Sequence, residues 1–133
     1  MKQLSLALLA CTACMRLDSF LYVPTRAEPG ADLLARATDV PRTLREEVAT
    51  DIVAADDTVV NAYILKHTPG DGTPASRHGQ AVLYCHGNSK NIDHFALRVQ
   101  ALWRQGYTVL IFDYRGYGKT PGKPTEAGTY EDG

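Results

Sequence analysis

With 133 residues, 44% of them hydrophobic, the chain has room for one domain with a modest core. Its 14 Lys and Arg balance 15 Asp and Glu to a formal net charge of -1, and no basic stripe exists to neutralise phosphates, which argues against a nucleic-acid partner. Three cysteines, two of them Cys11 and Cys14, make no disulfide framework, and no second Cys or His cluster at ligand spacing points to a structural metal.

The chain opens with MKQLSLALLAC, in which Lys2 precedes an apolar run from Leu4 to Ala10, the pattern of an export signal. The run is too short to cross a membrane, which takes roughly 20 apolar residues. Leu8-Leu9-Ala10-Cys11 resembles the bacterial lipobox, which implies that Cys11 is lipidated and that its acyl chains hold the protein at the membrane. Thr12 follows Cys11 where an acidic residue would mark inner-membrane retention, so a bacterial envelope location, at the outer membrane, is expected. Residues 1–14 therefore read as signal peptide and lipidation region. Residues 15–43 read as a tether, in which Pro24, Pro29, Gly30 and Pro41 limit regular structure, although Ala31 to Ala37 suits a short helix. Phe20, Leu21, Tyr22 and Val23 interrupt the tether as an apolar cluster expected to dock it on the domain.

Glu46 to Val53 and Thr58 to Lys66 are rich in β-branched residues and flank Ala54-Ala55-Asp56-Asp57, which predicts an antiparallel hairpin. Val60, Ala62 and Ile64 fall on one face of its second strand, and Val59, Asn61, Tyr63 and Leu65 on the other. His67 to Gly79 holds two prolines and three glycines and reads as a solvated loop with His67 and His78 at the surface. Within Gln80 to Cys85, Ala81, Val82, Leu83 and Tyr84 form a continuous apolar run of the buried parallel-sheet type, followed by His86-Gly87-Asn88. Asn91 to Gln105 places Ile92, Phe95, Val99 and Leu102 at helical spacing, with Asn91 as cap and Gly106 as terminator. Tyr107 to Phe112 is a second buried run, which makes a βαβ unit with parallel strands. Thr125 to Gly133 reads as the start of another helix.

Tyr84-Cys85-His86-Gly87-Asn88, followed by Phe112-Asp113-Tyr114-Arg115-Gly116-Tyr117-Gly118 and then Gly122-Lys123-Pro124, resembles the α/β-hydrolase superfamily. The likeness covers Val48 to Gly133, and residues 44–133 are identified as the N-terminal portion of such a domain. The fold class it implies is α/β, a partial α/β-hydrolase fold: an antiparallel hairpin followed by a βαβ unit. It implies an oxyanion hole at Gly87 and Asn88, where a backbone N–H receives the charge of a tetrahedral intermediate. It also implies a turn-holding role for His86 and a small-molecule ester-type substrate, with no cofactor.

The chain departs from the family in one respect: it contains no G-x-S-x-G. The serine, acid and histidine are therefore expected beyond Gly133, and the strand at Gln80 to Cys85 is expected to leave an apolar edge open. A degenerate, non-catalytic envelope lipoprotein is the alternative. Ser89 sits between strand and helix, but Asn91 is too large for the last place of an elbow, so Ser89 is assigned to the turn. Gly118-Lys119-Thr120 is preceded by Asp113 where a phosphate loop needs glycine, and Pro121 obstructs the helix that must follow. Asp113 and Arg115 are read as loop braces, Gly116 and Gly118 as turn residues, Cys85 as inert buried filling, and His94 has no role.

Overall fold

The computed structural model describes residues 20–48 and 52–133, so Cys11, the leader and part of the first expected strand lie outside the described residues. A four-stranded sheet carries the fold, in the order β2-β3-β6-β4. Its strands are β2 (Arg45–Glu47), β3 (Ala62–Leu65), β4 (Ala81–Cys85) and β6 (Thr108–Phe112). Strands β2 and β3 pair antiparallel, as do β3 and β6, whereas β6 and β4 run parallel with Leu83 opposite Leu110. The hairpin and the βαβ unit expected from the sequence are thus both present. The hairpin's far end is held by a bridge between Val53 and Val59 and closes through Asp57, which has φ of 65°. Among the described residues the outer edge of β4 is unpaired, and Leu83 on it is 52% exposed.

Helix α1 (Ile92–Arg104) crosses between β4 and β6. It buries Ile92, Phe95, Ala96, Val99, Gln100 and Trp103, an i, i+3, i+4, i+7 stripe. Trp103, rather than Leu102, fills the last core place, and its indole N–H donates to Lys66 O at 2.7 Å. Each large apolar side chain on the stripe contributes about 1.5–3 kcal/mol by leaving water. The helix ends at Gly106, whose φ of 95° lets its N–H return to Trp103 O, and where a Cβ would meet Pro74 O at 2.4 Å.

The stripe packs on Tyr63, Leu65, Val109 and Ile111 of the sheet and on Leu33, Leu34, Ala37, Val40 and Leu44. The stretch read as a tether thus supplies four side chains, Leu33, Leu34, Ala37 and Val40, to the main core. It does so through a series of turns, with Ala35, Ala37 and Val40 each donating to the carbonyl three residues back, instead of through a regular helix. On the opposite face a smaller cluster gathers Val60, Ala62 and Phe112. Helix α2 (Glu126–Asp132) starts at Thr125, whose hydroxyl accepts from Gly128 N at 3.1 Å. No helix among the described residues is long and apolar enough to cross a membrane.

A short parallel pair, β1 (Val23–Pro24) with β5 (Ser89–Lys90), joins the N-terminal segment to the turn that follows β4. The Phe20 to Val23 cluster therefore meets the domain mainly through its backbone: Phe20 is 82% and Val23 58% exposed.

Candidate active site

Strand β4 delivers His86 into a box of aromatic rings. Its imidazole is fully buried, stacked on Phe95 at 5.4 Å, with Tyr114 and Tyr117 edge-on at 5.1 and 5.2 Å. Nδ1 donates to Gly87 O at 2.7 Å. The peptide between Gly87 and Asn88 is trans, so holding Gly87 O toward His86 turns the Asn88 N–H the opposite way. Neither the Gly87 nor the Asn88 N–H donates to an acceptor among the described residues. Both residues line a cavity of about 530 Å³ whose walls include Leu21, Tyr22, Cys85, Tyr114 and Tyr117.

The other nitrogen of His86, Nε2, lies 3.3 Å from Asp113 Oδ1, and both side chains are fully buried. Asp113 Oδ1 also accepts from Ile92 N at 3.0 Å, so this carboxylate caps α1, while the side chain of Asn91 turns instead to Thr25 O. A negative group at this helix end also suits the helix dipole. Burial pushes the Asp113 carboxyl up from its ordinary value, against the opposing pull of His86 and the Ile92 and Lys119 N–H groups. Asp113 Oδ2 presses on Gly118, where φ is 45° and a Cβ would stand 1.9 Å from that oxygen. Behind it Thr120, fully buried, donates to Asp113 O at 2.6 Å and accepts from Asn61 N at 2.9 Å. Asp113, His86 and Gly118 therefore form one packed unit beneath the turn.

Arg115 and Gly116 lie apart from that unit. Arg115 reaches Asp132 of α2 through its backbone N–H and guanidinium, and Asp56 of the hairpin through Nη1 at 2.6 Å. These two carboxylates hold its pKa above the usual arginine value, and the Arg115 contact, with Thr58, lowers Asp56 to about 2. Gly116, at φ of 85°, faces Pro124, whose Cδ would lie 2.5 Å from a Cβ. Lys119 pairs with Glu47 at 2.7 Å and Tyr63 OH at 3.1 Å while Thr120 is sealed in the core, an arrangement unlike a phosphate cradle. Ser89 sits in the β1–β5 pair, within the connection from β4 to α1.

Two readings are corrected. Cys85 is exposed: it falls with Ala81 and Leu83 on the face of β4 turned away from the α1 core, and it borders the cavity. His67 is no surface residue: its side chain is 4% exposed, sandwiched between His78 at 4.6 Å and Trp103 at 5.1 Å. Its two nitrogens face Asp71 Oδ2 at 2.7 Å and Tyr107 O at 2.8 Å, and Thr73 Oγ1 links Asp71, His67 and His78. His67, Asp71 and His78 are near enough to suggest a cation site, but a bound metal lies in the plane of each imidazole, and rings stacked at 18° cannot both aim at one ion. The cluster clasps the 67–79 loop.

Sequence reasoning missed Tyr114, Tyr117 and the N-terminal segment as parts of the site. Tyr117 OH donates to Asn88 O at 2.7 Å. Burial pushes both phenols up to about 12, so each keeps its proton at neutral pH and remains a donor. The repeat of tyrosines at 114 and 117 was the available signal.

Comparison with a solved esterase of Pyrococcus furiosus gives a TM-score of 0.55 over 82% of this chain and 37% of that one, at 22% identity. The chain has a partial α/β-hydrolase fold. Residues 76–132 match the family described as serine aminopeptidase, S33. An uncharacterized Mycobacterium tuberculosis protein is 40% identical over 73 residues, 55% of this chain and 24% of that protein. YfhR of Escherichia coli K12, also uncharacterized, is 30% identical over 84 residues, 63% of this chain and 28% of its own length. A lysophosphatidylserine lipase of Xenopus tropicalis is 43% identical over 53 residues, 38% of this chain and 14% of the lipase. The chain spans about a quarter of the length of the first two of these relatives.

Proposed function

We propose that the chain is the N-terminal part of an exported serine hydrolase that cleaves an ester or related acyl bond. The observation that carries this reading is the turn at Gly87 and Asn88, whose N–H groups are free of partners among the described residues and border a cavity at the carboxyl end of β4. In the complete enzyme a serine on the strand after Gly133 attacks the substrate carbonyl, and a histidine oriented by an acid takes the serine proton and returns it to the leaving group. The Asn88 N–H receives the negative charge that develops on the carbonyl oxygen, where one such donor is worth about a hundredfold to a thousandfold in rate. Supporting it are the match of residues 76–132 to a serine hydrolase family and the likeness to a lipase. The aromatic cavity wall suits an apolar acyl or alcohol group on a small-molecule ester.

Labelling of the full-length protein by a serine-reactive phosphonate is the decisive experiment. Replacing the serine of a G-x-S-x-G downstream of Gly133 should abolish it, and labelling that persists contradicts the mechanism. The lipid anchor at Cys11, with its place in the bacterial envelope and at the outer membrane, is part of the same proposal. Cys11→Ser should move the protein from the membrane to the soluble fraction, and unchanged fractionation would point to another anchor.

A further inference from the structure

Residues 21–27 cross directly over the turn assigned to the oxyanion, and the bonds they make there are specific to its backbone. Val23 N donates to Asn88 O at 2.8 Å, and the Asn88 side-chain amide donates to Leu21 O. Thr25 N reaches Lys90 O at 3.3 Å while Thr25 O accepts from Gly118 N at 2.9 Å and from the Asn91 side chain at 3.3 Å. Ala27 N then donates to Gly118 O at 3.0 Å. One extended segment thus ties the loop after β4 to the loop after β6, the two loops whose carboxyl ends form the site.

Asn88 is consequently held on three sides. Its carbonyl accepts from both Val23 N and Tyr117 OH, its side chain is tied to Leu21, and its N–H is aimed by the Gly87 carbonyl that His86 holds. Lys90, two residues on, has φ of 74°, a strained conformation for a lysine that its pairing with Pro24 maintains. An amide serves as an oxyanion donor only if it is aimed before the charge appears, since a donor that must reorient spends its interaction energy on doing so.

We propose that the 21–27 segment is a positioning strap for the oxyanion turn, with the Val23 N–H as its positioning group and the Tyr117 hydroxyl, from the loop after β6, as a second hold on the same Asn88 carbonyl. The inference rests on the hydrolase reading for its catalytic consequence, but the strap's hold on the turn can be read without turnover. The strap also makes part of the cavity wall through Leu21 and Tyr22, so the N-terminal segment belongs to the site as well as to whatever lies before it.

The test uses the full-length protein with Val23→Pro, which removes the N–H donor to Asn88 O and also fixes φ at that position, and Tyr117→Phe, which removes only the hydroxyl. Turnover of a short p-nitrophenyl ester is measured alongside amide exchange of the 86–92 segment. The expected result is a fall in kcat of about tenfold to a hundredfold with KM within about twofold, as for a misaimed donor. Exchange in 86–92 becomes faster, and Val23→Ala, which keeps the donor, restores both readings. Unchanged exchange in the Pro and Phe variants overturns the strap whether or not the wild type is active. Altered exchange with a kcat that does not fall, in an active wild type, overturns its positioning role. Altered exchange in a wild type that hydrolyses nothing retains the strap as a hold on the turn and overturns the hydrolase reading instead.

Discussion

At the scale of single residues, Gly87 and Gly118 border the same unit under opposite constraints. A Cβ at Gly87 meets nothing within 4 Å, whereas at Gly118 it would lie 1.9 Å from Asp113 Oδ2 on a backbone already at φ of 45°. Strain of this backbone type and overpacking each cost about 1–3 kcal/mol. Gly118→Ala should therefore lower stability by about 2–4 kcal/mol in urea denaturation of the full-length protein, and Gly87→Ala by less than about 0.5 kcal/mol. Equal losses would mean that the Asp113 carboxylate is free to retreat from Gly118. A second residue-scale prediction concerns that carboxylate, which accepts from the buried Ile92 N and lies 3.3 Å from His86 Nε2. Asp113→Ala leaves the buried Ile92 N–H without its acceptor, for a loss of about 1–3 kcal/mol in the same assay. Asp113→Asn keeps an oxygen acceptor for Ile92 N, and burial already disfavours the charge it removes, so its loss should be clearly smaller.

Elements differ in how far their sequence announced them. Strands β4 and β6 and helix α1 were legible because apolar runs and a 3.6-residue stripe are properties of side chains, and here side chains decide the packing. The core segment at 33–40 was not, since Leu33, Leu34, Ala37 and Val40 are interrupted by Arg36, Thr38 and Asp39 and set by irregular turns. The strap was invisible for a different reason: backbone hydrogen bonds leave no pattern in residue types. The 67–79 loop was read as solvated from its glycines and prolines, yet His67, Asp71, Thr73 and His78 build an interior of its own. Burial alone would raise the Asp71 carboxyl, but the hydroxyl and N–H of Thr73, with His67 and the Thr68 N–H, outweigh it and hold the group well below its ordinary 3.8. A depressed carboxyl stabilises the fold above the unfolded-state value and ceases to do so as pH falls through the folded one. The melting temperature should thus decline as pH is lowered from about 5 to 3, and Asp71→Asn should flatten that decline while costing about 1–3 kcal/mol at neutral pH. Parallel wild-type and variant curves would remove Asp71 from the account.

For the whole molecule, the open side of the sheet is the feature that links fold to activity. Ala81, Leu83 and Cys85 share the exposed face of β4, and the backbone edge of that strand has no strand beside it among the described residues, an edge that invites further pairing. The motifs made the hydrolase fold legible, and the absence of a G-x-S-x-G led to the expectation of this open edge. In the proposed complete enzyme the strand carrying the serine lies along β4 and sets its nucleophile across the cavity from Asn88. Cys85, exposed in the 133-residue chain, reports on this directly. Maleimide should modify Cys85 readily in the 133-residue chain, with Cys11 and Cys14 replaced by serine, and at least about tenfold more slowly in the full-length protein, since thiol reactivity follows access. Equal rates would show that β4 remains an edge in the longer protein, and the serine would then have to approach the oxyanion turn from some other element.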